Sequence, residues 1–231
     1  MFKLITKPAR PRKNRGEIGF SIIELLIVML VLLIAAAIAI PAYARIAAYL
    51  RIAGDVRDLN GMIAQAKMRA AQDFTHARVN ANLTTNTYQL EVWDKNANGG
   101  VGCWKTDGDK VNQCTVAASP AQPLSSGVQF GFAGAGPGGL NPQTTIAQAP
   151  TCSSGIGGGT WGSSIANTAC IEFSSRGLPV AGYGLPNSGS PTPSDALYVT
   201  DSNSVYGVTV IVSGLIQIWA TSATSSNWEA R

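Results

Sequence analysis

Glu24 is the one charged residue in a long apolar stretch, and its position imposes a clear chemical requirement. Between Phe20 and Ile40 the only polar side chains are Ser21 and Glu24. About 20 apolar helical residues cross the hydrocarbon core of a bilayer, and a carboxylate at the centre of such a helix costs on the order of 3 kcal/mol, less near an end. Carboxylates in such helices usually pair with a positive charge or serve a function. We therefore expect Glu24 to have a counter-charge.

The four cysteines all follow the apolar stretch: Cys103, Cys114, Cys152 and Cys170. An even number of cysteines in an oxidising compartment favours two disulfides. Three connectivities are possible, and the sequential one, which joins the first cysteine to the second and the third to the fourth, closes the shortest loops. A zinc site formed by all four thiolates is the less favoured alternative, because the chain has no C-x-x-C pair.

A polar segment has the opening pattern of a calcium-binding loop, D-x-N-x-N-G: Asp94, Asn96, Asn98 and Gly99. In such loops, oxygen ligands at alternate positions surround a hard cation. The twelfth position here is Lys105 rather than a bidentate glutamate, and the flanking pattern indicates strands rather than helices. An ordinary hairpin loop is favoured, with a calcium site that also uses Asp107 and Asp109 as the alternative. We expect no resident metal and no cofactor.

Patterns for nucleotide binding and histidine chemistry are weak. Gly157, Gly159 and Gly162 match G-x-G-x-x-G, but the stretch is rich in Ser and Gly and no helical periodicity follows it, so composition explains the match. His76 is the only histidine. This leaves little for histidine-based acid–base pairs, metal sites or catalytic triads.

Two close pairs of carboxylates offer no better catalytic arrangement. Asp55 and Asp58 are predicted to lie on a solvated helix face, and Asp107 and Asp109 in a polar loop. The sequence has no G-x-S-x-G motif for a nucleophilic serine. We therefore predict that the chain is not an enzyme.

One long helix is predicted to position Glu24 and to continue beyond the apolar stretch. Apolar residues recur there at spacings of three and four along a single stripe: Ile52, Val56, Leu59, Ile63, Ala66 and Ala70. Pro41 cannot donate to the helix ladder and disfavours helical geometry at Ile40, so a break or a kink is expected. The predicted helix runs from about Phe20 to about Asp73, bent near Pro41.

From Ala77 onward the pattern changes to short β-like runs between segments rich in Gly, Pro, Asn and Ser. The predicted strands are His76 to Leu83, Tyr88 to Trp93, Val128 to Phe132, Cys170 to Ser174, Ala196 to Thr200, Tyr206 to Val212 and Leu215 to Trp219. The last two meet at Ser213 and Gly214, a two-residue hairpin signal. The predicted fold class is α+β, with a long N-terminal transmembrane helix packed against a C-terminal antiparallel β-sheet or β-sandwich domain.

Basic residues are concentrated before the apolar stretch. Six of the 17 Lys and Arg residues lie there against one acid, Glu17, whereas the rest of the chain is close to neutral. The net charge of +4 therefore reflects this N-terminal segment rather than a nucleic-acid-binding surface. Lys and Arg that flank a membrane helix tend to stay cytoplasmic. We expect a single-pass inner-membrane protein whose N-terminus is cytoplasmic and whose C-terminal domain is periplasmic.

The run Gly19-Phe20-Ser21-Ile22-Ile23-Glu24, followed by apolar residues and Pro41, resembles the N-terminal signature of type IV pilins and pseudopilins. The resemblance implies that a prepilin peptidase cuts between Gly19 and Phe20, and that Phe20 is then N-methylated. It divides the chain into a leader (1–19), a transmembrane and assembly helix (20–75) and a periplasmic β-rich domain (76–231).

Parallel packing of many such helices would place the freed amine of one subunit beside Glu24 of another, in a low dielectric that strengthens the ion pair. Two alternatives stay open. Glu24 lies only about 6 Å along the helix axis from the amine of its own chain, which could neutralise it. Glu24 could also snorkel to the membrane interface and have no role in assembly.

The later segments are similar to the GspH/FimT family of minor pseudopilins and minor pilins, in the order IAQAKMRAAQDFTHARV, IEFSSRGLPV and VTVIVSGLIQIW. This resemblance implies a small β-sandwich and a structural subunit of a type II secretion pseudopilus or a type IV pilus. The implied partners are other pilin-like subunits, the prepilin peptidase and the inner membrane. Long insertions at Ala133 to Trp161 and Gly182 to Ser194 depart from that family. A major pilin and a DNA-binding minor pilin are alternatives, but the stretch from Thr221 has only Arg231 as a base.

Overall fold

The computed structural model describes residues 20–107, 121–138, 143, 145–154, 162–181 and 194–231. The chain divides into two compact units, Met1–Ile46 and Ala47–Arg231. One helix, α1 (Ile22–Gln72), supplies residues to both units. Its ends lie within two residues of the predicted ones. A break or a kink was predicted at Pro41, and the helix continues through that residue without a break.

The described part of the second unit contains eleven strands: β1 (Ala77–Asn82), β2 (Thr87–Asp94), β3 (Cys103–Thr106), β4 (Gln122–Pro123), β5 (Gln129–Phe130), β6 (Thr168–Phe173), β7 (Pro179–Val180), β8 (Ser194–Thr200), β9 (Ser204–Ile211), β10 (Ile216–Ser222) and β11 (Glu229–Ala230). Every strand predicted from the sequence is present, with its ends moved by at most three residues. Strands β3, β4, β7 and β11 were not predicted from the sequence. Three of these have only two residues each, too few to show a period of two.

The strands form two antiparallel sheets. The first has the order β3-β2-β1-β6-β7, with β4 also paired to β2, and the second has the order β11-β10-β9-β8-β5. In the first sheet, Arg78 on β1 lies opposite Glu91 on β2 and Glu172 on β6. The α+β class and the antiparallel sheets agree with the prediction.

The main core of the second unit is formed by α1 and by the inner faces of both sheets. The six residues of the predicted helical stripe, from Ile52 to Ala70, all belong to it. On β1 the alternate residues Ala77, Val79 and Ala81 are completely buried in the same core. The period of the helix therefore identified its core face correctly, and the buried residues of β1 alternate as the period of a strand requires.

A second, smaller core covers the outer face of the second sheet. The Tyr198 ring lies 5.8 Å from that of Trp228, centroid to centroid. The Trp228 indole N–H donates to the Gly136 carbonyl oxygen at 2.9 Å. Gly207 on β9 pairs with Tyr198 on β8, and a Cβ atom built at Gly207 would lie 2.6 Å from the Tyr198 ring. The ring therefore occupies the space that a side chain at position 207 would need.

A pair of glycine substitutions tests this packing. Gly207→Ala is expected to lower the free energy of unfolding by about 1–3 kcal/mol, because the new methyl group overlaps the Tyr198 ring. A Cβ atom at Gly54, on α1, would meet no atom within 4 Å. Gly54→Ala is therefore expected to raise the free energy of unfolding by about 0.5–1 kcal/mol through helix propensity. Urea unfolding of the full chain, followed by near-UV circular dichroism, measures both. A Gly207→Ala protein as stable as the parent would contradict the packing described.

Candidate assembly interface

Glu24 lies in the first turn of α1. The backbone N–H of Leu25 donates to the Ser21 carbonyl oxygen at 3.1 Å, which makes Ser21 the residue that starts the helical hydrogen-bond ladder. The first backbone N–H groups of a helix have no partner within it, and the helix dipole favours a negative charge there. Within the described part of the chain, Glu24 has neither an ion-pair partner nor a side-chain hydrogen bond.

The first half of α1 exposes its apolar side chains on all sides. Phe20 is 80% exposed, Ile38 is 70% exposed and Leu33 is 69% exposed. The most apolar 18-residue window of the helix has a mean hydropathy of 3.1 and none of it is buried. Among the described residues this is the one helix long and apolar enough to cross a membrane. So much contiguous apolar surface requires a cover, which can be lipid or other helices.

Pro41 lies inside α1 and leaves one helical hydrogen bond unmade. Proline has no backbone N–H, so the carbonyl oxygen of Ala37, four residues earlier, loses its helical donor. Proline is tolerated in membrane helices because neighbouring helices and side chains can satisfy the freed group. Gly19, which precedes the predicted cleavage point, lies outside the described residues.

The disulfide between Cys152 and Cys170 holds the segment around Cys152 against the first sheet. Its Cα atoms are 5.0 Å apart, and Cys170 belongs to β6. This bond is one of the two in the sequential pairing. Cys103 is disulfide-bonded as well, whereas Cys114 lies outside the described residues.

Beneath that segment lies a buried ion pair that was not predicted from the sequence. Arg78 and Glu91 are each 1% exposed, and the Arg78 Nε atom donates to Glu91 Oε2 at 2.6 Å. The amide groups of Asn80 and Gln89 donate to the other Glu91 oxygen at 2.9 and 2.7 Å. Arg78 Nη1 donates to the Ser153 carbonyl oxygen at 2.7 Å. The carboxylate thus accepts three hydrogen bonds, which offset the cost of removing it from water.

Two tryptophans complete this buried site. The Arg78 guanidinium carbon lies 4.0 Å from the centroid of the Trp104 ring, a cation–π contact. Trp93 meets Trp104 edge to face, with centroids 5.3 Å apart. The predicted strands, which end at Leu83 and resume at Tyr88, would place position 78 opposite position 93, whereas the observed register places Arg78 opposite Glu91. Nothing in the local pattern indicated that the outer face of this sheet would be covered.

Asp94 and Asp107, two of the candidate calcium ligands, are bound to cations of the chain itself. The Lys105 Nζ atom lies 2.6 Å from Asp94 Oδ2, and this contact holds the pKa of Asp94 below its ordinary value, with smaller contributions from backbone N–H groups. Arg69 on α1 forms a bidentate ion pair with the Asp107 carboxylate. Asp109 lies outside the described residues. Among the described residues, no group of three or more His, Cys, Asp or Glu side chains is placed to hold a metal ion.

The interpretation of Asp55 as part of a solvated face was wrong. Asp55 is only 8% exposed, and its two carboxylate oxygens accept hydrogen bonds from the backbone N–H and the hydroxyl of Ser125 at 3.0 and 2.8 Å. Asp58 is exposed, as predicted. Asp55 is buried because the loop at Ser125, distant in sequence, folds over α1 and supplies the donors.

The remaining candidates are not brought together into a catalytic site among the described residues. His76 Nδ1 lies 3.0 Å from Glu172 Oε1, so the only histidine is paired with a buried carboxylate. Of the glycines that match the phosphate-binding pattern, Gly157 and Gly159 lie outside the described residues. The chain from Gly162 continues to strand β6 with no helix between them, so the helix that a phosphate-binding loop requires is missing there.

Comparisons of this chain with protein-family models, with curated proteins and with solved structures gave no match. The long apolar N-terminal helix, the C-terminal antiparallel sheets and the disulfide are together compatible with a pilin-like architecture. The case for a function therefore depends on the residues of the chain itself.

Substitution of Glu91 tests the buried ion pair. Glu91→Gln keeps the shape of the side chain but removes the negative charge that pairs with the buried Arg78, so the free energy of unfolding is expected to fall by about 3–5 kcal/mol. Glu229→Gln is the matched control, because Glu229 pairs with Arg231 at the surface, where the two side chains are 71% and 52% exposed, and little change is expected. Urea unfolding measures both variants, and equal losses would contradict the assignment.

The contact between Asp94 and Lys105 predicts that part of the free energy of unfolding is lost in acid. Because the pKa of Asp94 is lower in the folded state than in the unfolded state, its stabilising contribution is present above the unfolded value and is lost as the pH falls through the folded value. As the pH falls below the ordinary pKa of an aspartate, Asp94→Asn should therefore lose less unfolding free energy than the parent. Asp58→Asn, at an exposed position, should follow the parent. Identical pH profiles for Asp94→Asn and the parent would refute the prediction.

Proposed function

We propose that this chain is a pilin-like structural subunit, a minor pseudopilin or minor pilin, that a prepilin peptidase processes and that assembles into a filament through α1. One observation carries the proposal. The first half of α1 is an apolar helix that is exposed on all sides, with a single carboxylate in its first turn and no partner for that carboxylate in the described chain. The proposed role is structural rather than catalytic.

The exposed apolar surface supports assembly because it can be covered in two ways at similar cost. In the monomer, a bilayer would surround the helix from Phe20 to Ile40. In a filament, the same side chains would pack against helices of other subunits. Because lipid and leucine side chains are similarly apolar, the choice between these two covers depends on packing and on polar contacts. A polar group in the helix then has a large influence on which cover is favoured.

Glu24 is the polar group that would bias this choice. The helix dipole stabilises a carboxylate in the first turn by about 0.3–1 kcal/mol, less than the cost of holding a carboxylate well inside an apolar medium. Cleavage between Gly19 and Phe20 would create a positively charged amine at the end of the helix. An ion pair between this amine and Glu24 of a neighbouring subunit would neutralise both charges and set the axial register of the two helices.

Processing and assembly are tested in one series of strains that carry a complete pilus or pseudopilus machinery. With the prepilin peptidase present, intact-mass spectrometry should find a chain that begins at Phe20 and carries one added methyl group. Without the peptidase the chain should keep Met1. Gly19→Val, which places a branched side chain at the cut, should prevent processing. A chain that keeps Met1 beside an active peptidase would contradict the proposal.

In the same strains, Glu24→Gln separates assembly from processing. The variant should be cut and inserted as the parent is, but its amount in sheared filaments should fall by roughly tenfold or more, since a buried amine that loses its carboxylate partner costs more than the about 1.4 kcal/mol that corresponds to tenfold. Glu229→Gln, which removes an exposed carboxylate at the C-terminal end of the chain, is the control and should assemble normally. Normal filament content for Glu24→Gln would refute the assembly role.

A further inference from the structure

The second unit has an apolar groove between α1 and two turns, with a volume of about 450 Å³. We call it the Met68 groove, and the residues that matter here are Lys67 and Met68 on α1, Arg176 in the turn before β7, and Leu215 and Ile216 at the start of β10. Met68 is 64% exposed and Leu215 is 51% exposed. A binding partner that covered both side chains would remove apolar surface from water.

Two glycines build the floor of the groove. Gly177 and Gly214 have φ angles of 71° and 77°, a backbone conformation that favours glycine. A Cβ atom at Gly214 would lie 2.6 Å from the Gly177 carbonyl oxygen and 3.2 Å from Lys67 Nζ. The two turns and the Lys67 side chain are thus in close contact. The Lys67 ammonium also donates to the Gly214 carbonyl oxygen at 2.9 Å, which holds it at the groove. The groove is therefore preformed rather than created by binding.

The charged residues that line the groove are all positive. Lys67 and Arg176 are its two charged lining residues, and no Asp or Glu lines it. Within the described ranges neither cation takes part in an ion pair. This differs from Arg69 on the same helix, which is paired with Asp107. An occupant with carboxylates beside apolar side chains would match both the charge and the apolar surface.

We propose that the Met68 groove docks a segment of a partner protein in which aspartate or glutamate residues alternate with large apolar residues. A protein segment is favoured over an enclosed small molecule because Met68 and Leu215 are more than half exposed and can be covered by side chains pressed onto the surface. This interaction goes beyond the proposed assembly through α1. Its test uses the unassembled chain, so a negative result leaves the proposed function untouched.

The test is a titration of the full chain in lipid nanodiscs with ¹³C-methyl-labelled methionine. The probe is a capped pentapeptide of alternating leucine and aspartate. We expect a saturable shift of the Met68 methyl resonance and none of the Met62 resonance, because Met62 packs against the core of the same unit. The counterpart peptide with asparagine should bind roughly fivefold more weakly, and that with lysine should give no shift.

Variants locate the binding. Arg176→Gln removes an exposed charge and should weaken binding of the aspartate peptide about threefold or more, and Leu215→Ser should weaken it at least as much. Arg57→Gln, an exposed cation of α1 outside the groove, should bind as the parent does. Equal binding of the aspartate and asparagine peptides, or equal effects of Arg57→Gln and Arg176→Gln, would overturn the proposal. A Met68 shift that depends on protein concentration without peptide would assign the groove to a second copy of the chain instead.

Discussion

A charge in an apolar environment needs a partner, and this chain meets the requirement in two different ways. Glu91, on the first sheet, is surrounded by donors from the same unit, with Arg78, Asn80 and Gln89 all bound to its carboxylate. Glu24, in an apolar helix, has no such partner in the described chain. The first carboxylate is satisfied by folding. The second would be satisfied by a freed chain terminus, by another molecule or by water at the membrane interface, and this difference separates the residues that stabilise the fold from the one that we propose directs assembly.

Helix α1 serves two environments with one continuous secondary structure. Its first half is apolar on every side, as a helix surrounded by lipid or by other helices must be. Its second half carries a single apolar stripe that is buried in the main core of the second unit. Polar residues such as Arg69 lie off that stripe and bind neighbouring loops. Both halves are helical for the same backbone reason, and the distribution of side chains around the axis decides what each half contacts.

Covalent and electrostatic contacts reinforce one another on the outer face of the first sheet. The Cys152–Cys170 disulfide fixes the segment whose Ser153 carbonyl oxygen accepts a hydrogen bond from Arg78. With Trp104 against the guanidinium, the ion pair is removed from water on all sides that the described residues reach. Such a site stabilises the fold only while it is complete, because a buried charge that loses its partner costs more than a surface charge does. The Met68 groove is the opposite case, since within the described residues neither of its cations has an ion-pair partner.

Periodicity and local residue chemistry by themselves determined the extent of α1, the face it buries, the position of Glu24 near its start and the longer strands. These features depend on residues within a few positions of one another, and a period of 3.6 or of 2 is visible in a short stretch of sequence. The partners of Asp55, Asp107 and Arg78 were decided by the tertiary structure, as were the two-residue strands and the Met68 groove. Each of these depends on groups far apart in sequence that meet only when the loops and sheets pack, and no local pattern records which distant group will arrive.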